Sequence, residues 1–468
     1  MSWLRTNKVV FMTTVALVYL NSSRTIHMGL AYISAVLKKN GYNVVLFDTA
    51  FVGDKKIIRG VMDRDIRIVM FSVHSIVYNH ALELCNRIKQ VRPDVYTLFG
   101  GWHVLLSPDE VIGNDCVDMI CVGEGEDVVV DIMRNIDVLD DVSSIPNVWF
   151  KRNGVVIKNN IRPLGDIDEL PYPDRDIFDR RCLSDENGLF HFLTMRGCPY
   201  NCSFCCNYKM VDLYKNIGCR YIRFRDIDKV IAEMKYVKDK YDPKEFFFTD
   251  EMFLTNPGRV KEFCVKYVEN DIGIPFGFMA RVENVDEDII KVLRDAGCCR
   301  IHFGVESGNE ELRRRYLNRH MSNKQIIDAF DLCHRYGIFT ASFNMIGLPF
   351  ETRETIMDTF DLNKRCKPTV FQMTILYPFY GTKIRDVYKM NNLLDTSVEE
   401  QGRKTDYYSS CITRNPVLSF SYIKHQQVFM NIFFNYSELL AKISLYLPVC
   451  FLDFYNRGVS KFFGVIKV

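Results

Sequence analysis

Four cysteines stand within nine residues in "TMRGCPYNCSFCCNY", residues 194–208 of a 468-residue chain. Cys198, Cys202 and Cys205 have the spacing C-x3-C-x2-C, and Cys206 follows directly. Three thiolates so separated can turn inward around one centre, and soft sulfur ligands select iron–sulfur or zinc sites. A structural zinc would want a fourth protein ligand at comparable spacing. Cys206, adjacent to Cys205, points elsewhere on the loop and is read as a core thiol, and no second C-x2-C pair completes a finger. Three ligands on a four-iron cluster leave one iron open, and an open coordination site is where a metal does chemistry.

The elements around the cysteines fit such a site. "FHFLTM" is a strand that ends at the cysteine loop, and "EFFFTD", "IPFGFMAR", "CRIHFGVES", "TASFNMIG" and "VFQMTILYP" are five more, separated by helical patterns. Asp286 and Ser322 read as helix N-caps, and Gly297 and Gly337 as C-terminal stops. Six strands alternating with helices predict a partial (β/α)6 barrel with its site at the strands' carboxyl ends. Asp250 and Glu251, Arg281, Glu306 and Ser307, and Gly347, Leu348 and Pro349 all fall at such ends. Each alone could be a cap or a turn; their joint placement marks them as site residues.

The N-terminal third also alternates. "NKVVFMTTVALV", "NVVLFD", "IRIVMFSV", "DVYTLFGG" and "DMICVGEGE" read as strands of a parallel, doubly wound sheet with helices between them, Leu30, Ile33, Ala35, Val36 and Leu37 marking the first helix and Gly41 its end. Ligands of such sheets sit at the strands' carboxyl ends. There stand Ser72, Gly100, Gly101, and Gly123, Glu124 and Gly125. No G-x-G-x-x-G follows the first strand, which argues against a nicotinamide or flavin site.

With 60 basic and 58 acidic residues the formal charge is +2, so nothing points to nucleic acid or an anionic membrane surface. The 16 cysteines are scattered and form no disulfide framework, as expected of a reducing, cytoplasmic compartment. The apolar run from Val9 to Leu20 imitates a secretion leader but reads as a buried first strand. The apolar C-terminal region is interrupted by Lys424, Glu438, Lys442 and Pro448, short of the roughly 20 residues of a membrane helix. Phe429, Phe433, Phe434 and Tyr436, at helical spacing, read as core in preference to a cavity lining.

The order "GLAYISAVLKKNGYNVVLFDTA", "FSVHS", "LFGGWHV", "VGEGED", "IDELPYPDRD" resembles the cobalamin-binding domain fused to one branch of the radical S-adenosylmethionine enzymes. The cysteine spacing, preceded by "RG" and with Phe204 before the last cysteine, resembles that superfamily's signature. The branch resembled includes anaerobic magnesium-protoporphyrin cyclases and methyltransferases. The resemblance implies an α/β protein: an N-terminal Rossmann-like cobalamin-binding domain (1–135), a linker (136–185), a radical S-adenosylmethionine partial barrel (186–395) and a C-terminal helical cap (396–468). It implies that Cys198, Cys202 and Cys205 bind a 4Fe-4S cluster whose free iron chelates S-adenosylmethionine. Asp250 or Glu251 in "TDEMF" would contact its amino group, Arg281 its carboxylate, and Glu306, Ser307, Gly347 and Pro349 its ribose and adenine. Ser72, Gly100, Gly101 and the Gly123–Gly125 loop would line the channel for the cobalamin nucleotide tail. Corrinoid proteins that ligate cobalt carry D-x-H-x-x-G; here "RTIHMG" lacks the aspartate, and His27 is read as a solvated loop residue.

The activity implied is oxygen-sensitive methyl transfer to an unactivated carbon of a small-molecule, lipid or natural-product substrate, with electrons from a flavodoxin- or ferredoxin-type donor. Radical oxidation, cyclisation or ring rearrangement is the alternative, and a corrinoid- or redox-sensing protein the second. Methylthio transfer would want a second cysteine triad, which the N-terminal part lacks.

Overall fold

The computed structural model describes residues 13–21, 24–136, 142–183, 188–395, 412–436, 438–449 and 452. Two compact units divide the chain, Met1–Asp185 and Glu186–Val468.

The first unit alternates β1 (Thr14–Tyr19), α1 (Met28–Lys39), β2 (Asn43–Asp48), α2 (Asp54–Met62), β3 (Ile66–Ser72), α3 (Tyr78–Val91), β4 (Tyr96–Gly100), α4 (Trp102–Leu106), α5 (Pro108–Gly113), β5 (Met119–Cys121) and α6 (Glu126–Arg134). The strands lie in the order β2-β1-β3-β4-β5, all parallel, so their carboxyl ends share one edge. Val15 to Val18 are fully buried, as expected of a strand covered on both faces. The run that imitates a leader is thus a buried strand from Thr14 on; its residues before 13 lie outside the described ones. The stretch read as a linker contributes β6 (Val148–Arg152) and β7 (Val155–Lys158), an antiparallel hairpin added at the β5 edge. Asn153 and Gly154 turn it, with φ of 52° and 77°, the left-handed pair that a tight hairpin turn requires. A short helix, α7 (Arg180–Leu183), follows.

The second unit contains β8 (Leu189–Phe192), β9 (Met195–Arg196), α8 (Asn207–Lys215), β10 (Arg223–Phe224), α9 (Ile227–Tyr241), β11 (Glu245–Phe248), α10 (Pro257–Glu269), β12 (Phe276–Ala280), α11 (Glu287–Asp295), β13 (Cys298–Glu306), α12 (Glu310–Tyr316), α13 (Asn323–Arg335), β14 (Phe339–Ile346), α14 (Arg353–Cys366), β15 (Val370–Ile375) and α15 (Lys383–Met390). Six strands form one parallel sheet in chain order, β8-β11-β12-β13-β14-β15, the partial barrel expected. Asp286 caps α11 through the N–H of Ile289, and Ser322 with Gln325 forms a capping box on α13. Gly297 and Gly337 follow the helix ends with φ of 100° and 71°.

The tail helix Phe420–Asn435 closes the β15 edge. Asn431 Oδ1 accepts from the N–H of Met373 at 2.9 Å and its Nδ2 donates to Met373 O at 3.0 Å. Asn435 treats Phe371 the same way, at 2.9 and 2.7 Å. Residues four apart on a helix are about 6 Å apart and residues two apart on a strand about 6.6 Å, so two side-chain amides stand in for the peptide groups of a missing strand. Phe433 and Phe434 pack on Phe360 and Phe371, at 4.9 Å and 4.5 Å between ring centroids. With Phe429 they belong to the core over α14 and β15.

Replacing Asn431 and Asn435 together by leucine would leave four edge groups without these partners, at about 1–3 kcal/mol for each left buried and unsatisfied. A lower urea midpoint with retained helical circular dichroism is expected; an unchanged midpoint would refute the edge-pairing role.

Candidate functional site

The cysteine loop runs from β9 to α8. Gly197 starts it at φ 97°, and a Cβ there would stand 3.0 Å from Tyr221 Cδ1 and 3.2 Å from Ile222 Cα. The loop is anchored by atoms from the barrel's far strands and their loops. The Ser203 N–H donates to Leu317 O at 3.1 Å, its hydroxyl donates to Tyr316 O, and its carbonyl accepts from Ile384 N at 3.0 Å. Asn201 accepts from Asn318 Nδ2 at 2.7 Å and from Lys383 Nζ at 2.6 Å. Phe204 packs into a core with Leu312, Leu317, Met345, Leu348 and Ile384, so its ring fastens the loop.

Cys202 is buried and Cys198 and Cys205 half-buried. Burial pushes the Cys198 thiol up to about 12, with Cys202 and Cys205 adding repulsion. Burial also raises Cys202, against the Arg319 and Arg281 guanidiniums, and Arg281 Nη1 lies 3.3 Å from its sulfur. Cys206 is no plain core thiol. It is half-buried at the start of α8, and its S–H bonds to Cys205, holding the Cys205 thiol low and its own high. Among the described residues no three Cys, His, Asp or Glu side chains converge on a single ion position. Ligands of a cluster bind separate irons and need no such convergence. A soft donor set on one loop, mutually repelling until a cation sits between them, fits an iron–sulfur cluster.

The two carboxylates at the end of β11 separate into different roles. Asp250 is fully buried and accepts from Thr194 N at 2.6 Å, Thr194 Oγ1 at 2.6 Å and Met195 N at 3.2 Å. Burial raises it to about 7. It ties β11 to the approach to the cysteine loop. Glu251 accepts from the Gly197 N–H at 3.3 Å and acts electrostatically on Cys198 and Cys205. Arg281 is engaged by Glu283 and stacks 3.8 Å over the Tyr200 ring, so it belongs to the support of Cys202. Glu306, at φ 70°, pairs with Arg319 at 3.2 Å, and burial raises its carboxyl. Gly304 leaves room for them: a Cβ there would come 2.5 Å from Glu306 Oε1, and the carboxylate would have to shift. Ser307 is fully buried, its carbonyl held by Arg313.

Arg319 and Glu351 were not singled out in the sequence. Glu351 is buried behind Gly347, whose φ is 84°. Its Oε2 accepts from Gly347 N at 2.6 Å and Leu348 N at 3.2 Å, which shapes the turn through Pro349. The one signal was a glutamate four residues beyond a glycine that ends a strand. Arg319 hides in the charged run "RRRYLNRH", which reads as a solvated surface.

In the first unit Ser72 and Gly100 sit at one level of β3 and β4. A Cβ on Gly100 would find only Cys121 Cβ, at 3.9 Å, so this side of the strand end is open, a cradle that a nucleotide tail fits. Gly101 is glycine for another reason. At φ 94° its Cβ would meet Val73 O at 2.7 Å and Val73 N at 2.9 Å, so the residue keeps the turn and its missing side chain leaves no room for a ligand. Gly123 turns at φ 107°, the Glu124 carbonyl accepts from Asn147 Nδ2 at 3.2 Å, and Gly125 precedes α6. His27 is half-buried and engaged, and is not a free loop side chain. It caps α1, with Nδ1 accepting from Leu30 N at 3.1 Å and Nε2 3.3 Å from Ser72 Oγ. Burial lowers it to about 4, so the ring is neutral and carries its proton on Nε2.

Burial lifts Glu351 to about 8 despite its two N–H donors. The folded state therefore binds a proton that the unfolded chain has lost, and stability falls as pH rises from the ordinary glutamate range through about 8. Glu351→Gln, which keeps an acceptor oxygen, is expected to flatten that fall in denaturation midpoints taken between those limits. An unchanged slope would contradict the buried carboxyl.

Residues 192–362 match the Radical SAM superfamily and residues 20–133 the B12 binding domain. The chain is 26% identical over 430 residues to an uncharacterized methyltransferase of Pyrococcus horikoshii, covering 90% of this chain and 87% of that one. It is 25% identical over 365 residues to the anaerobic magnesium-protoporphyrin IX monomethyl ester cyclase of Rubrivivax gelatinosus, covering 75% of this chain and 64% of that one. Its fold resembles that of the radical S-adenosylmethionine methyltransferase TsrM from Kitasatospora setae, with a TM-score of 0.68, 17% identity and 81% and 78% of the two chains covered. The cobalamin-dependent S-adenosylmethionine radical enzyme OxsB gives 0.69, 18%, and 90% and 66%. With its cysteine loop on a partial barrel and a corrinoid-type sheet before it, the chain belongs to the cobalamin-dependent radical S-adenosylmethionine enzymes.

Proposed function

We propose that this enzyme transfers a methyl group to an unactivated carbon of a small molecule. The observation that carries the reading is one chain with a three-thiol loop at a barrel end and a B12 binding domain, whose relative in Pyrococcus horikoshii is named a methyltransferase. When bound, the cluster with S-adenosylmethionine supplies a 5′-deoxyadenosyl radical, and methylcobalamin supplies the methyl group. Cys198, Cys202 and Cys205 hold the cluster. Glu251, nearer the cysteine loop than the buried Asp250, receives the amino group of S-adenosylmethionine. Arg281 and Arg319, each paired with a carboxylate, favour the thiolate form of Cys202. Glu306, Ser307, Gly347 and Pro349, set by Arg319, Arg313 and Glu351, frame the ribose and adenine. Gly100 and Ser72 would receive the corrinoid tail, and His27, held by the Leu30 N–H and Ser72 Oγ, would serve as the cap of α1 and not as a ligand of the corrinoid.

The electron donor is external and of flavodoxin or ferredoxin type. The described cysteines are all free, which accords with a reducing cytoplasm, and no described helix is long and apolar enough to cross a membrane. A second reading, radical oxidation or cyclisation, is favoured by the resemblance to the Rubrivivax gelatinosus cyclase.

Alanine at Cys198, Cys202 or Cys205 is expected to abolish iron content and visible absorbance after anaerobic reconstitution, while Cys206→Ala retains both. Loss of the cluster in the Cys206 variant would overturn the ligand set. Anaerobic incubation with methyl-labelled S-adenosylmethionine and cell extract should place label in a product; 5′-deoxyadenosine with no labelled product would favour the second reading. Gly100→Leu should lose cobalamin and keep iron, whereas normal corrinoid retention would remove Gly100 from the site.

A further inference from the structure

The face of the barrel sheet turned away from the helices carries the substrate's signature. Phe246, Phe248, Phe276, Phe278, Ile301 and Phe303 face the helices and are fully buried. Their alternates face inward, and His191, Met279, Phe343, Gln372 and Thr374 remain partly solvent-exposed. A closed barrel of this class fills its interior with side chains; here several inward side chains stay partly exposed.

Register sets those inward residues side by side. Phe247 pairs with His191 and Gly277, Met279 with His302, His302 with Ala341, and Phe343 with Gln372. The His302 ring lies 4.8 Å from Phe247 and 5.3 Å, edge-on, from Phe343. Burial and the nearby Arg300 keep His302 neutral, its proton affinity lowered to about 4. The cations that reach this face are already matched: Arg300 is bound by Glu245, in space that Gly277 leaves, Arg281 at the end of β12 by Glu283, and Arg319, which reaches over Gly304 from the loop after α12, by Glu306. Among the described residues the interior walls therefore offer apolar and aromatic surface, neutral polar groups and arginines already paired with carboxylates, which adds no net positive charge for a phosphate or carboxylate. An anion there would exchange water for an apolar wall, at a cost of several kcal/mol.

We propose that the barrel interior receives an uncharged, largely apolar substrate, held against Phe247, Met279 and Phe343 with a polar atom toward His302. This rests on the enzymatic reading above and names its substrate class: neutral ring or chain compounds, and not phosphorylated, nucleotide-linked or acidic ones.

Two probes that share a ring system and differ by one sulfonate test it on the full-length, anaerobically reconstituted protein. Neutral N-phenyl-1-naphthylamine is expected to bind with enhanced emission, and 1-anilinonaphthalene-8-sulfonate at least about tenfold more weakly. Met279→Trp, which fills the interior, should abolish neutral-probe binding while iron content and circular dichroism stay unchanged. Should that variant misfold, Phe343→Leu keeps an apolar wall and should weaken binding several-fold. Leu439 and Tyr446 are, among the described residues, the most exposed apolar side chains of the tail, and replacing both by serine should leave binding intact. Absent binding of the neutral probe, equal binding of the sulfonate in competition with it, indifference to Met279→Trp in a folded protein, or loss in the tail variant would each overturn the proposal. The probe reads the interior without turnover, so its failure leaves the 5′-deoxyadenosine assay of the enzymatic reading standing, and the converse also holds.

Discussion

A loop with no repeating backbone hydrogen bonds cannot hold three thiols in place by itself. Between Gly197 and Asn207 the chain depends on atoms that distant parts of the barrel lend it: carbonyls of Tyr316 and Leu317, the N–H of Ile384, the amide of Asn318 and the ammonium of Lys383. Nearly everything else at the strand ends serves that requirement. Asp250 fixes the approach to the loop from β8, Phe204 sinks its middle into a core, and Tyr208 at its far side donates to Gly381 O at 2.9 Å. The sequence distance across these bonds exceeds 100 residues in several cases, so the loop becomes ordered only when the barrel is complete.

The same constraint explains the charges. Glu306 with Arg319 and Glu283 with Arg281 place ionised groups where water is scarce, an arrangement that is tolerable only when each is paired. Their stabilising contribution to the fold is small. Their effect on the sulfur atoms is direct, because two guanidiniums favour the thiolate form of Cys202. Removing one partner would leave the other buried and alone, so mutation of these pairs reports on solvation as much as on electrostatics.

Much of this was legible in the sequence because its signals are local. The cysteine spacing, the alternation of strands and helices, and the caps at Asp286 and Ser322 each depend on residues within a turn or two. The β6–β7 hairpin was also legible, from Asn153 and Gly154 between two apolar stretches, but it was passed over in favour of a linker. What sequence could not show was which of two adjacent carboxylates turns inward. Asp250 and Glu251 differ by one position at a strand end, and the choice is made by Thr194, 56 residues away. Gly101 misled for a related reason: a missing side chain next to a ligand edge suggests space for the ligand, and only the position of the Val73 backbone shows that the space is already taken. Arg319 and Cys206 are of the same kind, ordinary residues given meaning by a neighbour.

The amide ladder of Asn431 and Asn435 has a consequence for how the C-terminal region should be studied. A parallel sheet that ends in an uncovered strand is a template for adding a strand from another molecule. By occupying the N–H and C=O of Phe371 and Met373, the tail helix makes β15 unable to recruit a second copy. A chain truncated before Phe420 would expose that edge together with the apolar face of α14, and would be prone to self-association whether or not the tail ever touches a substrate. Loss of activity on truncation would then report a colloidal failure, and only substitutions that keep the two asparagines can separate it from a loss of chemistry.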